Sequence, residues 1–418
     1  MKRQYSNVRG TVDFSSQQVS LYESLRRKSM NLFNLYGYRQ LMLPFLEEKN
    51  LFIKGVGQAS EIVQSQMMKI EGKDIVLRPE GTAQVVRYYL QHRLDKKNNF
   101  YKFFYLGPMF RGERPQRGRL RQFNHIGAEV VGSDSVYLDA EIIILALKIV
   151  DSIGLKKKQL QLNSLGCQAD KKKLSQYIKE KLSKQKDKLC SACQKRIVNN
   201  PLRVIDCKRD KCKRIVNSLK LGKGHLCFDC QNHFNNLLNV LGDLGINYKY
   251  NPFLVRGLDY YTHTVFEITS DQLGSQDALG AGGRYNNLFS QLGGVDIPAV
   301  GFALGVERVM LALGKKEQKK RSLVFIARAG KNLEKQGLLL LSELRANRIA
   351  SSCDFRAKSL KAQLRYGQKI GAELVVILGE DELKENKVIL KDMSKSEQET
   401  LKLKDLTTKI KEKLKNYD

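Results

Sequence analysis

Between Leu254 and Ile268 the chain reads LVRGLDYYTHTVFEI, in which a cation, a carboxylate and two tyrosines stand between apolar flanks. An Arg and an Asp at the mouth of an apolar strand need a ligand or each other, because a buried charge without a partner is costly. The alternation of Tyr261, His263, Val265 and Glu267 with Thr262, Thr264, Phe266 and Ile268 also describes any half-buried strand, so this stretch alone leaves both readings open. Other segments carry related chemistry. The loop RGERPQRGRLRQ places arginines at 111, 114, 117, 119 and 121. A guanidinium meets phosphate bidentately, and several together neutralise a nucleic-acid backbone. Arg308, beside Glu307 at the start of an apolar helix, also calls for an anion. In VLRPEGT, Glu80 can bind an amine or favour the dipole of the helix that follows.

Eight cysteines without a secretory leader argue against a disulfide framework. Six of them form the pairs Cys190-x2-Cys193, Cys207-x4-Cys212 and Cys227-x2-Cys230. Four thiolates can hold zinc, most simply Cys190, Cys193, Cys227 and Cys230. The 33 residues between those two pairs are more than a compact zinc ribbon needs, and buried free thiols are the alternative.

The elements that must position these groups follow from hydrophobic period. Gln17 to Leu35 keeps helical spacing, and Tyr38 to Phe45 reads as a strand with Pro44 near its end. Phe100 to Gly132 reads as an antiparallel hairpin whose long loop carries the arginines, and Ser135 to Leu155 as a core helix with Asp139 and Glu141 favouring its dipole. Gly280, Gly282 and Gly283 in LGAGGRYNNL read as a turn that admits close backbone approach by a ligand. PAVGFALGVERVMLAL joins a short strand to a helix. The charged run KKEQKKR at 315–321 is the expected domain boundary, and beyond it strands alternate with helices, implying a small, mainly parallel sheet.

The length of 418 residues implies two or three domains. A net charge of +30 points to a polyanionic partner, nucleic acid before membrane. Lys156 to Lys223 alone holds 21 Lys and Arg against 5 Asp and Glu. No apolar run is long enough to span a bilayer, and the cytoplasm is the expected compartment.

Taken together, FRGERPQRGRLRQF, RGLDYY, VLRPEGT, GAGGRY and GVERVML resemble class II aminoacyl-tRNA synthetases, in particular the histidyl-tRNA synthetase family, over nearly the whole chain. The resemblance implies an α/β (α+β) architecture: a class II antiparallel sheet flanked by helices, a basic helical insertion, and a C-terminal α/β anticodon-binding domain. The expected division is 1–150 and 252–314 for the catalytic core, 151–251 for the insertion and 322–418 for the anticodon-binding domain. It implies a homodimer formed through YGYRQLMLPFLE and no membrane partner. The implied substrates are histidine, ATP with Mg2+, and histidine tRNA, joined through a histidyl-adenylate.

By the same resemblance, Arg111 and Arg256 meet the α-phosphate and are catalytic, Arg308 meets the γ-phosphate, and Glu113 completes the ATP site. Glu80, Thr82, His125, Glu129, Tyr260, Tyr261 and Tyr285 are implied to bind histidine. Arg114, Gln116, Arg117 and Arg119 are implied to approach the tRNA. Two positions depart from the family pattern. His125 stands where bacterial members usually carry Gln, which implies pH-dependent affinity near neutrality. Asn286-Asn287 follow GGRY in place of Asp-Gly. The rival readings are a non-catalytic synthetase-like regulatory subunit and a zinc-stabilised RNA-binding protein.

Overall fold

A computed structural model describes residues 5–58, 60–274, 277–314, 322–356, 358–395 and 397–415. The chain divides into two compact units, Met1–Lys316 and Glu317–Asp418. The expected linker 315–321 spans that division and lies outside the described residues.

In the first unit the strands are β1 (Arg39–Gln40), β2 (Leu46–Glu48), β3 (Ile75–Leu77), β4 (Tyr101–Phe110), β5 (Gln122–Val131), β6 (Gln159–Ser164), β7 (Lys249–Tyr250), β8 (Thr262–Thr269), β9 (Ala278–Arg284) and β10 (Ala299–Gly305). The helices are α1 (Ser16–Leu35), α2 (Lys49–Val56), α3 (Thr82–Gln91), α4 (Val136–Ser152), α5 (Gln168–Ser183), α6 (Ser191–Asn199), α7 (Leu202–Ile205), α8 (Asp210–Asn217), α9 (Phe228–Asp243), α10 (Leu288–Gln291) and α11 (Val306–Leu313). Eight strands make one sheet in the order β1-β4-β5-β10-β9-β8-β6-β7, antiparallel except at its two ends.

The sheet is centred on long alternating sequences. β4 and β5 pair without a slip from Tyr101 opposite Val131 to Phe110 opposite Gln122. α4 is apolar on most of its surface, and such a helix must be covered all round. Its Ile142, Ile143, Ala146, Ile149 and Val150 are fully buried in a core shared with the sheet, α1 and α9. Each such aliphatic side chain stabilises the fold by about 1.5–3 kcal/mol relative to exposure. α1 begins at a capping box in which the Ser15 N–H donates to Gln18 Oε1 at 2.9 Å, and it buries Leu25, Ser29 and Phe33 along one stripe.

Four expectations change. The stretch Tyr38 to Phe45 contributes only the two residues of β1 to the sheet, because Pro44 cannot donate to a ladder and the chain leaves the edge before it. The glycine-rich stretch is no turn: Ala278–Arg284 is β9, between β8 and β10. At Gly283, φ is +153° and a Cβ would lie 2.4 Å from the Thr264 carbonyl oxygen, so glycine lets the neighbouring strand come close. Asp139 stands in the first turn of α4, as expected, but has a partner that the dipole reading did not include. It is fully buried and forms an ion pair with buried Arg284 at 2.7 Å, while its other oxygen accepts from Thr264 Oγ1 at 2.8 Å. Finally, the boundaries 151–251 are too wide for the insertion, since β6 and β7 belong to the main sheet and α9 packs Phe234, Leu237 and Leu241 into the main core.

The second unit holds β11 (Val324–Ala329), β12 (Ser351–Cys353), β13 (Leu374–Gly379), β14 (Lys387–Asp392) and β15 (Gln398–Lys402), with helices α12 (Glu334–Ala346), α13 (Leu360–Lys369), α14 (Glu380–Lys384) and α15 (Leu406–Leu414). The order is β12-β11-β13-β14-β15. The first three strands are parallel, but β14 and β15 run antiparallel, so the sheet is mixed rather than mainly parallel. The chain between β13 and β15 is too short for parallel crossovers. β15, QETLK, was not expected, because only every second residue of that polar stretch is covered.

Candidate active site

The face of the large sheet carries a cavity of about 470 Å³. Its wall includes Glu80, Thr82, Tyr105, Arg111, Glu113, Arg119, His125, Arg256, Tyr260, Tyr261, Glu267, Glu307 and Arg308. Residues from all four charged segments of the sequence therefore meet in one place.

The arginines are held by backbone and carboxylate partners. Arg111 Nε donates to the Pro79 carbonyl at 2.9 Å, and its guanidinium lies over the Phe123 ring at 5.2 Å. Glu113 lies between Arg111, at 3.9 Å, and Arg119, at 3.5 Å. Arg308 is fixed by donation to the Ala278 carbonyl and to the Gly118 carbonyl at 3.4 Å. Arg256 pairs with Glu267 of β8, while its Nε is buried without a hydrogen-bond partner among the described residues. Glu307 accepts from the Asn124 N–H and side-chain amide, which ties the start of α11 to β5. Burial pulls the Arg111 and Arg308 pKa values below their ordinary value. Five cations, Arg111, Arg119, Lys208, Arg256 and Arg308, share the wall with carboxylates such as Glu80, Glu113, Glu267 and Glu307, so the cavity offers guanidinium groups to an anion and carboxylates to a cation.

The carboxylates lie deeper. Glu80 is buried and accepts from the backbone N–H groups of Thr82 at 2.7 Å and Ala83 at 2.9 Å, so it caps α3 while still facing the cavity. Glu129 does not line the cavity, and neither does Tyr285; both stand one layer behind it. Glu129 accepts from Thr82 Oγ1 at 2.7 Å, Tyr105 OH at 3.2 Å and Tyr285 OH at 2.7 Å. Burial raises its pKa to about 8, against the lowering effect of those hydroxyls. The Tyr260 ring packs 4.7 Å from Tyr261 and 5.7 Å from Tyr285.

His125 lines the cavity, but the expected titration near neutrality is overturned. Burial, reinforced by Arg111 and Arg78, lowers its pKa to about 3, so the imidazole is neutral at physiological pH. Of the loop residues, Arg114, Gln116 and Arg117 are exposed, whereas Arg119 reaches the cavity wall.

The cysteines do not assemble as expected. Cys190 and Cys193 meet Cys207 and Cys212, while Cys227 and Cys230 meet Cys167 and Asp170. The reason lies in the helices. Cys190 precedes α6 in the small core of the insertion, whereas Cys227 precedes α9, which belongs to the main core.

Three residues escaped the reading of the sequence. Tyr105 stands directly opposite Gly127 across β4 and β5, on the same face as Glu129; a tyrosine facing a glycine across two predicted strands was the available signal. Glu267 lies eleven residues beyond Arg256, in the same motif. Lys171 sits in a lysine run that looks solvated, yet its ammonium donates to the Asp259 carbonyl and, at 2.9 Å, to the Tyr261 carbonyl. No local signal marks Lys171 out.

Residues 10–309 match the family model described as histidyl-tRNA synthetase, and residues 323–413 match an anticodon binding domain. The chain belongs to the histidyl-tRNA synthetase family. A histidine–tRNA ligase of Syntrophotalea carbinolica is 38% identical over 412 residues, covering 98% of each chain. That of Syntrophomonas wolfei is 41% identical over 409 residues, covering 96% of this chain and 97% of its own. The apo histidyl-tRNA synthetase of S. aureus superposes with a TM-score of 0.79 at 32% identity, covering 97% of this chain and 99% of that one. Family membership agrees with the antiparallel-dominated sheet and with a separate C-terminal unit built on its own sheet. Among the described residues no helix is long and apolar enough to cross a membrane.

Proposed function

We propose that this chain ligates histidine to the 3′ end of histidine tRNA through a histidyl-adenylate. The observation that carries the reading is that Arg111, Arg256 and Arg308 share one cavity with Glu80, Thr82, Tyr260 and Tyr261. In the first step a carboxylate oxygen of histidine attacks the α-phosphorus of ATP, which enters with Mg2+ as its counter-ion. The bond from that phosphorus to the bridging oxygen breaks, and pyrophosphate leaves. Arg111 and Arg256 offset the charge that builds on the α-phosphoryl group, and Arg308 holds the far phosphate, with Glu113 orienting Arg111. In the second step the terminal ribose hydroxyl of the tRNA attacks the acyl carbon, loses its proton, and AMP leaves.

Glu80 and Thr82 take the substrate α-amino group, and His125, a neutral imidazole, faces the same space. Tyr260 and Tyr261 form the wall that reads the imidazole. Glu129 acts through Thr82, Tyr105 and Tyr285, whose hydroxyl directions it fixes. A polar wall of this kind rejects apolar isosteres, which would leave its groups unpaired.

The exposed Arg114, Gln116 and Arg117 meet the acceptor end of the tRNA together with the basic insertion, and the second unit takes the anticodon. Leu35, Met42, Phe45 and Leu46 are 81%, 94%, 50% and 52% exposed, an apolar patch beside edge strand β1 that suits a homodimer interface. The reaction runs in the cytoplasm, where ATP and tRNA are available. Histidine-dependent ATP–pyrophosphate exchange without tRNA is the test. A synthetase exchanges; a regulatory paralogue or a purely RNA-binding protein does not.

A further inference from the structure

The sulfurs of Cys190, Cys193, Cys207 and Cys212 all lie within 4.8 Å of one another. Four thiolates around one zinc at about 2.3 Å form a tetrahedron with edges of about 3.8 Å, so a small inward movement would seat the ion. Disulfides bring sulfurs together in twos, whereas a mutual grouping of four is what a tetrahedral metal requires. All four cysteines are free.

The local backbone supports the same reading. Cys190 immediately precedes α6 and Cys193 lies in its first turn, so the CxxC wraps a helix N-terminus. The Cys190 N–H donates to Cys212 Sγ at 3.3 Å. Cys193, Cys207 and Cys212 are buried in a small core with Ile178, Val204 and Val216. A core this small is poorly stabilised by apolar burial alone. A tetrathiolate zinc carries a net charge of −2, and the surrounding stretch from Lys156 to Lys223, with 21 Lys and Arg against 5 Asp and Glu, offsets it.

We infer that Cys190, Cys193, Cys207 and Cys212 hold a structural zinc ion that braces the insertion against the catalytic cavity. Four thiols lose four protons as the ion binds, and no coordination position stays open for substrate, so the ion is structural. Its place gives it a function. Cys207 lies between Asp206 and Lys208, both of which line the cavity. Just before it, Asn200 Nδ2 donates to Asp259 Oδ1 at 2.9 Å and Arg203 reaches the Arg256 carbonyl at 3.5 Å. The ion thus fixes the segment on which the Arg256–Asp259 loop leans. This consequence for substrate binding rests on the proposed function; the metal assignment does not. The grouping of Cys167, Asp170, Cys227 and Cys230 offers only three thiols, and its Asp170 oxygens accept from the Cys227 N–H at 3.0 Å and the Cys167 N–H at 3.3 Å, so the tetrathiolate assignment belongs to the first group.

The experiment is elemental analysis of the full chain purified without chelator. About one zinc per chain is expected, lost in Cys207→Ser and Cys212→Ser and retained in Cys227→Ser. Because the first two variants can fail to fold, the unaltered protein is also grown with cobalt, and the visible spectrum of tetrahedral thiolate-bound cobalt is expected. Thiol titration of the folded protein should show four cysteines protected until a strong chelator is added. With zinc lost, the histidine KM should rise at least tenfold, and zinc should restore it. A protein that carries neither zinc nor cobalt, or whose metal is lost in Cys227→Ser and kept in Cys207→Ser, overturns the assignment. Normal metal chemistry with no exchange activity in any form refutes the proposed function and leaves the metal site standing.

Discussion

Gly301 of β10 sits directly opposite Glu129 of β5, and a Cβ at position 301 would fall 1.7 Å from Glu129 Oε2. The carboxylate reaches Tyr285 only because the facing residue has no side chain. Gly301→Ala is therefore expected to displace Glu129, lower stability by about 1–3 kcal/mol as overpacking does, and raise the histidine KM more than the ATP KM. Thermal unfolding and exchange kinetics check this, and equal effects on both KM values would remove Glu129 from the histidine side.

Glu129 also sets a pH dependence. Its pKa in the fold is about 8 against an ordinary 4.5, mainly through burial. The folded state then holds a proton that the unfolded chain has released, so this group's contribution is fully present below the ordinary value and is lost as pH rises through about 8. Urea denaturation of the ligand-free protein between pH 5 and 9 should show stability falling with pH, with a flatter slope in Glu129→Gln. Identical slopes would place the proton elsewhere.

Arg256 pairs with Glu267 and, on the proposed function, also meets the α-phosphate. Arg256→Ala is expected to cut histidine-dependent exchange by about 10² or more, as removal of a transition-state charge partner does. If Arg256 only neutralised Glu267, the double variant Arg256→Ala with Glu267→Gln would recover the rate. The expected outcome is recovery of less than about tenfold.

Arg114 and Arg117 point outward from the hairpin loop. Replacing both by Ala should leave amino-acid activation unchanged, raise the tRNA KM and reduce the salt dependence of aminoacylation by about two phosphate contacts. An equal loss in exchange would show that they serve the ATP site instead.

Met42, 94% exposed, is the most exposed of the apolar side chains proposed for the dimer interface. Met42→Asp should shift the protein from dimer to monomer in sedimentation, because a desolvated, unpaired charge at an interface costs several kcal/mol. An unaltered sedimentation coefficient would move the interface elsewhere.

Much of this was legible in the sequence. The β4–β5 hairpin showed in its alternation, α4 in its continuous apolar surface, and the site arginines in their cost when unpaired. What the sequence concealed depended on distance. GAGGRY has the composition of a turn, and only the neighbouring strands reveal that its glycines lie within the sheet. Asp139 looked like an ordinary helix-start acid because Arg284, its partner, is 145 positions away by sequence number. The cysteine pairs could be counted but not matched, since spacing says nothing about which helix packs on which core.

Lys171 gives the insertion a mechanical role. Its part-buried ammonium grips two carbonyls of the Asp259–Tyr261 turn from α5, and each charge-assisted bond is worth about 1.5–3 kcal/mol. A displacement of α5 must drag that turn along or break both bonds. The turn that bears the tyrosines is thus leashed to the basic lobe as well as rooted in the sheet, and strain applied at that lobe is felt at the cavity wall that Tyr260 and Tyr261 line.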